Sequence, residues 1–354
     1  MTKILIIVFC LLLSCAFILA KSGIRVKRII GGQLDDSVDQ LSLAALIGEK
    51  GYSWDILKVW GEHRKLFCSG SLISNQWIVT AAHCFNIFKV TEEKYENENE
   101  NSSNFIHERE SKSDENLKAM QKKKFTIKNG KVIKIKKELI DFTDPKYWKV
   151  RLAVQTLKPT FKERLLKFVN RFFDKPNQKV YYKVSKVVRH PMYDPNYLEN
   201  DVALVKLKNK INMTIFNFSR ILPITNSIID KTLWPYPGQM CKVIGWGCKE
   251  IDGPIMNRLH SVLLPVQNSS YCRLIYRADI NLTDHQEFCA GYYNGHKGIC
   301  AGDSGGPILC LENGKPVLAG VVSATHKNDP SKFPGIFSRI SYFSSWISNV
   351  IKNN

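Results

Sequence analysis

Three stretches of this sequence hold side chains suited to acyl transfer. "VTAAHC" carries His83 next to Cys84, "ENDVALVKL" carries Asp201 at the head of an apolar run, and "GDSGGP" carries Ser304 among glycines. Singly, each has a plainer reading: a histidine beside a cysteine is usually structural, and a buried aspartate usually caps a turn. Together they supply a complete set. A serine hydroxyl is a weak nucleophile at neutral pH. An imidazole that takes its proton activates it, and a carboxylate behind the imidazole holds the right tautomer. The glycines around Ser304 let backbone N–H groups turn toward a developing oxyanion, with Gly302 and Ser304 as the two donors. Losing one such donor typically costs about 3 kcal/mol of barrier height. No Cys/His array has the spacing of a zinc site, and this set calls for no metal and no cofactor.

The elements that must position these residues read as strands. "SGSLISNQWIVTAAHC", "VSKVVRHPMY", "DVALVKL", "MCKVIGWG" and "PVLAGVVSAT" are short, rich in Val, Ile and aromatics, and bounded by Gly, Pro and Asn. One 3.6-period stretch, "SYFSSWISNVIK", sets Phe343, Trp346, Ile347 and Val350 on a single face and predicts a C-terminal helix. The fold class is therefore all-β with a terminal helix. One block breaks the rhythm: the stretch from about residue 89 to 125 is charged, Asn-rich and poor in large apolar residues, and predicts a mobile loop. After it, "KKKFTIKNGKVIKIKKELIDF" alternates apolar residues with lysines and predicts a short hairpin turning at Asn129 and Gly130. "FKERLLKFVNRFF", with Phe161, Leu165, Phe168 and Phe172, reads as a basic amphipathic helix, packed on the domain or binding a membrane or polyanion.

Five segments in order, "IIGG" at residues 29–32, "TAAHC", "NDVALVKL", "CKVIGWG" and "GDSGGP", resemble the chymotrypsin/trypsin-like serine proteases, and the match covers most of residues 29–351. The resemblance implies two six-stranded Greek-key β-barrels with the active site in the cleft between them, and His83, Asp201 and Ser304 as the catalytic triad. It also implies a zymogen: residues 1–20 a signal peptide, 21–28 an activation propeptide cleaved after Arg28, and 29–354 the protease domain with an insertion at about 89–145. The freed ammonium of Ile29 would pair with Asp303 and order the oxyanion hole, a switch whose partner exists only after cleavage. Correspondence with the family pairs Cys68 with Cys84, Cys241 with Cys310, and Cys272 with Cys289. The usual partner position of Cys300 holds Asn328, so Cys300 is expected to pair with Cys248, which follows "GWG".

The same correspondence places Gly298 on the floor of the primary specificity pocket and Thr325 and Gly335 on its walls. A buried substrate guanidinium with no acid to meet it costs several kcal/mol, so a neutral Gly298 argues against tryptic cleavage. Apolar substrate residues of chymotrypsin-like or elastase-like size remain, and Asp329 near the wall keeps a weakly basic preference open. Where relatives read Ser-Trp-Gly, the substrate-pairing strand here reads Ser323-Ala324-Thr325, which puts catalytic efficiency in doubt. Two function classes follow: a secreted serine endopeptidase acting on protein or peptide substrates, or a weak or silent homologue serving as a polyanion- or protein-binding module. Because the activating bond follows a basic residue and the pocket is neutral, a separate trypsin-like or furin-like protease is expected to cut it.

The remaining features fit secretion. Lys3 followed by an apolar run over residues 4–20 has the pattern of a cleaved signal, shorter than the ~20 residues that span a bilayer comfortably, and no later stretch is apolar enough to span. Of ten cysteines, Cys10 and Cys15 leave with that segment, and eight remain. An even set in a secreted chain predicts four disulfides, though spacing alone leaves their pairing open. N-x-S/T sequons stand at Asn101, Asn212, Asn217, Asn268 and Asn281. The net charge of +19 is uneven: residues 91–120 hold 9 acidic against 4 basic side chains, and residues 121–183 hold 19 basic against 5 acidic. That basic stretch either faces water or attracts polyanions. The spacing from His83 to Asp201 is long for the family, with the excess chiefly at 89–145 and more near 158–180, in loops that border the cleft in relatives. His107, His190, His296 and His326 read as surface or structural.

Overall fold

A computed structural model describes residues 30–35, 42–48, 67–94, 125–128, 131–152, 156–158, 181–212, 234–250, 253–276, 282–283, 285–326 and 329–354. The predicted helix over 161–172, the bond between Arg28 and Ile29, Asn328 and His107 lie outside these residues. Along the chain run β1 (Gln33–Leu34), β2 (Leu43–Gly48), β3 (Phe67–Leu72), β4 (Trp77–Thr80), β5 (Asn86–Lys94), β6 (Phe125–Lys128), β7 (Lys131–Asp141), β8 (Trp148–Leu152), β9 (Tyr181–Arg189) and β10 (Ala203–Leu207). The second half supplies β11 (Met240–Gly245), β12 (His260–Pro265), α1 (Ser269–Tyr276), β13 (Glu287–Ala290), β14 (Pro307–Glu312), β15 (Lys315–Ala324), β16 (Gly335–Arg339) and α2 (Ile340–Asn353).

Two barrel-like sheets result. The first is a closed six-stranded barrel in the order β10-β4-β3-β2-β8-β9, which leaves no free edge. Its strands are apolar on consecutive positions because both faces are covered: all four residues of β4 and four of the five in β10 are buried. The second sheet runs β1-β12-β11-β14-β15-β16-β13, so it has seven strands where six were expected. The extra one is β1, two residues that pair Gln33 with Ser261 and Leu34 with His260 on the outside of β12. A single bridge between Val266 and Ala290 brings the two ends of the remaining six together. One buried cluster fills the first barrel and extends to Ile244, Leu309, Leu318 and Val321 of the second sheet, and a second cluster lies within that sheet. Phe343, Ile347 and Val350 of α2, spaced at helical intervals, join the cluster of the first barrel. Trp346 is half-buried against it.

The insertion differs from the expected loop. Its ends form a third sheet, β5-β7-β6. The expected short hairpin is present as four pairs between β6 and β7, from Phe125↔Lys134 to Lys128↔Lys131, while its expected turn at Asn129 and Gly130 lies outside the described residues. β5, read from sequence as the start of a mobile stretch, pairs with β7 over nine positions from Asn86↔Asp141 to Lys94↔Ile133. Its composition misleads because its backbone partners are distant in sequence: the register sets Phe88 opposite Leu139 and Glu93 opposite Lys134. The root of this sheet is clamped to the first barrel. Phe142 N donates to Phe85 O at 2.7 Å, and Arg189 donates to both Asn86 and Asp141.

Candidate active site

His83 sits in a 3-10 turn, Ala82–Phe85, immediately beyond β4. Asp201 sits immediately before β10. The antiparallel register that pairs Ala203 with Thr80 therefore delivers the two side chains to one end of the barrel, although they are 118 residues apart in sequence. The contact is double. His83 N donates to Asp201 Oδ1 at 2.8 Å, and His83 Nδ1 lies 2.7 Å from Asp201 Oδ2. A carboxylate only accepts, so Nδ1 carries the proton and Nε2 is left as the acceptor. Burial pushes the His83 pKa down, but the charge of Asp201 and its hydrogen bond push it up by more, so it stands above 6.5. The second barrel completes the arrangement: Ser323 Oγ donates to Asp201 Oδ2 at 2.6 Å, and Ser338 Oγ donates to Asp201 O at 2.8 Å.

Ser304 lies in a turn that only glycine permits. Gly302 and Gly305 hold φ of +98° and +76°. A Cβ on Gly305 would stand 2.1 Å from Thr80 Oγ1 and 3.1 Å from Ala81 N, so this turn is pressed against the residues that lead into His83. Ser69 ties it there: its N–H donates to Ser304 O at 2.8 Å and its Oγ to Gly302 O at 3.0 Å. Within the turn, the N–H groups of Asp303, Gly305 and Gly306 are all bonded to carbonyls. Among the described residues, those of Gly302 and Ser304 have no acceptor. These are the two donors expected to meet an oxyanion.

Asp303 is fully buried and accepts from Gly247 N at 2.8 Å and Cys300 N at 3.0 Å. Burial raises its carboxyl to about 7 against those two bonds, which pull the other way. The glycines of "GWG" exist for this side chain: a Cβ on Gly245 or Gly247 would fall 2.0 Å from its carboxylate oxygens. Ile30, next to the expected new N-terminus, is buried against Cys248 and Cys300, and its carbonyl accepts from Gly298 N at 3.0 Å.

The two glycines expected to line the specificity pocket are closely packed. A Cβ on Gly298 would stand 2.4 Å from the carbonyl oxygen of buried Pro330. A Cβ on Gly335 would stand 2.5 Å from Cδ1 of Ile299, itself 1% exposed. Gly335 is thus packed directly against Ile299, the residue that follows Gly298. Thr325 Oγ1 is buried with no partner among the described residues. Asp329 is paired with Lys332 at 2.8 Å and bonded to Ser331, and these contacts, the Lys332 one above all, hold its carboxyl down at about 2.

Four disulfides are formed: Cys68–Cys84, Cys241–Cys310, Cys248–Cys300 and Cys272–Cys289. The first bonds together the two sulfurs nearest His83, so neither is a thiolate available to a metal. His190 packs against Phe343 and Trp346, and His326 against Phe333, as structural residues.

The Trypsin family model matches residues 50–144 and 168–347. The chain belongs to the trypsin family. Chymase from Canis lupus familiaris is 36% identical over 172 residues, covering 49% of this chain and 63% of that one. Chymase from Cavia porcellus is 32% identical over the same shares, and serine protease filzig from Drosophila melanogaster is 34% identical over 172 residues, 10% of its length. The chain thus spans less than two thirds of the length of these curated relatives. The solved structure of GrC covers 92% of this chain with a TM-score of 0.58 at 23% identity, a likeness of fold. Among the described residues, no helix is long and apolar enough to cross a membrane.

Proposed function

We propose that this trypsin-family protein is a secreted serine endopeptidase, made as a zymogen and activated by cleavage after Arg28. The observation that carries the reading is the pairing of His83 with Asp201, backed by Ser323 and Ser338, beside a Ser304 turn with two unbonded N–H groups. Ser304 Oγ attacks the peptide carbonyl while His83 Nε2 takes its proton. Asp201 holds the imidazole and stabilises the cation that forms. Gly302 and Ser304 N–H receive the oxyanion. His83 then returns the proton to the leaving amine, and water repeats the cycle on the acyl-enzyme.

The pocket supports a non-tryptic preference for small apolar residues. Its floor is a glycine backed by a carbonyl, Ile299 fills the space beside Gly335, and Thr325 narrows the mouth. Among the described residues proposed to line it, none offers a carboxylate to a substrate lysine or arginine. Efficient self-activation at Arg28 is accordingly not expected, and a separate protease cutting after basic residues supplies it.

Labelling by a fluorophosphonate after cleavage at Arg28 tests the reading. It should be strong in the cleaved chain and absent in Ser304→Ala, whose turnover should fall on the order of 10⁶-fold. A cleaved chain that takes no label leaves only a binding role. A peptide library then tests the pocket: cuts after Ala, Val or Thr support it, and cuts after Arg or Lys overturn it.

A further inference from the structure

The outer face of the first barrel gathers lysines across neighbouring strands. The register sets Lys149 of β8 opposite Lys183 of β9, and Lys186 of β9 opposite Lys206 of β10. Lys208 extends the first row: its N–H donates to Lys183 O at 2.8 Å, one position beyond the Leu207↔Val184 pair. Strict alternation from exposed Lys183 would turn Lys186 inward with Val184. The register shift between Lys206 and Leu207 leaves Ser185 as an extra residue, and Ser185 and Lys186 are both exposed.

Like charges directly opposite on paired strands are destabilising, and adjacent strands lie only about 5 Å apart. No Asp or Glu occurs in β8, β9, β10 or residues 208–212 to offset these lysines. Among the described residues, no acidic side chain pairs with Lys183, Lys186, Lys206, Lys208 or the exposed Lys210. Lys186 Nζ donates to Asn354 Oδ1 and Lys206 Nζ to Asn354 O, which holds the two ammonium groups side by side. An ammonium has three protons to donate, so each keeps donors for an anion.

The surroundings of these lysines select among anions. Tyr181 lies under Lys149 and Arg151, and buried Trp77 lies under Lys206, so neither ring is left as a platform for a nucleic-acid base. Tyr181 apart, these strands expose no large apolar side chain that could enter a membrane. What they offer is closely spaced point charges, suited to a chain of densely repeated sulfates. Asp201 precedes β10 and Lys208 follows it, roughly 20 Å away along the strand direction.

We propose that the lysine face of β9 and β10 is a docking surface for a sulfated polysaccharide, clear of the His83–Asp201 pair. It goes beyond the protease reading and does not depend on Ser304. Bound there, the protein is held on an anionic matrix while its catalytic residues stay accessible.

The test titrates heparin into the full chain at several salt concentrations. Binding should be present at about 0.15 M salt and weaken steeply above it. Lys183→Gln, Lys206→Gln, Lys208→Gln and Lys210→Gln together should weaken it at least about tenfold and lower the slope of log Kd against log salt by about 3. Arg at the same four positions should keep the affinity within about threefold, which separates lost charge from lost structure. Gln at Lys131, Lys134, Lys136 and Lys137 of β7 removes equal charge elsewhere and should cost less than about threefold. If the fourfold Gln variant does not fold, Lys208→Gln with Lys210→Gln decides, with about half the change in slope. An equal or larger loss in the β7 variant overturns the inference. So does unchanged binding in the β9–β10 variant, or no binding by the native chain at that salt. Duplex DNA or phosphatidylserine vesicles that bind more tightly than heparin overturn the choice of a sulfated chain. Saturating heparin should leave kcat/KM on a small peptide unchanged, and a fall would place the polyanion at the catalytic residues instead. A chain that takes no fluorophosphonate yet binds heparin through these lysines loses the protease reading and keeps this one.

Discussion

His83 and Asp201 form a pair whose two contacts leave the imidazole a single free nitrogen. The proton-accepting form of His83 is the neutral one, and its pKa lies above 6.5. Activity should therefore fall as pH drops through that raised value, following one proton, and a kcat/KM profile measures it. Replacing Asp201 with Asn should keep the fold but favour the wrong tautomer, lowering kcat by about 10⁴-fold. In the pocket, Gly298→Asp should not create tryptic cleavage. Its Cβ would meet Pro330 O at 2.4 Å, so the expected outcome is a lower melting temperature with no gain on arginyl peptides. Ile299→Ala should open space beside Gly335 and shift the cleavage profile toward larger residues, at roughly 2–5 kcal/mol of stability for the lost buried side chain. His83, Asp201 and Ser304 were legible in the sequence because their flanking residues are distinctive. Ile299 was not, since a buried isoleucine looks like any other core residue until Gly335 is placed against it.

At the scale of elements, the strands were legible because their apolar runs end at turn residues, and α2 because of its period. β1 was missed because two residues carry no periodicity, and α1 because eight residues barely do. The insertion was misread at β5, where the pairing partner lies on β7 beyond a long charged stretch. The packing of α2 makes a separate prediction. Phe343→Ala should cost about 3–5 kcal/mol in a denaturant melt, because the ring is 1% exposed within the cluster of the first barrel. The ratio of kcat to KM should change little, since α2 touches neither the Ser304 turn nor the Asp201 hydrogen bonds described above.

For the whole molecule, the buried carboxyl of Asp303 links stability to pH. Its pKa rises from 3.8 to about 7 through burial. Between those values the folded chain keeps a proton that the unfolded chain releases, so stability is full below the lower value and declines as pH rises through the upper one. Thermal melts of the uncleaved chain should show that decline, and Asp303→Asn should flatten it. In the cleaved chain the new ammonium would favour the charged carboxylate, so the decline should be weaker there.

The site is also divided between the barrels in a crossed manner. Asp201 of the first barrel is held by Ser323 and Ser338 of the second, while the Ser304 turn of the second is held by Ser69 of the first. Ser338 lies on β16, the last strand along the chain among the described residues. A nascent chain therefore carries His83 and Asp201 well before Ser304, Ser323 and Ser338 are made, and the site stays unassembled until the second barrel closes on the first. A first barrel folded alone would hold its histidine and aspartate without the hydroxyls that fix the carboxylate.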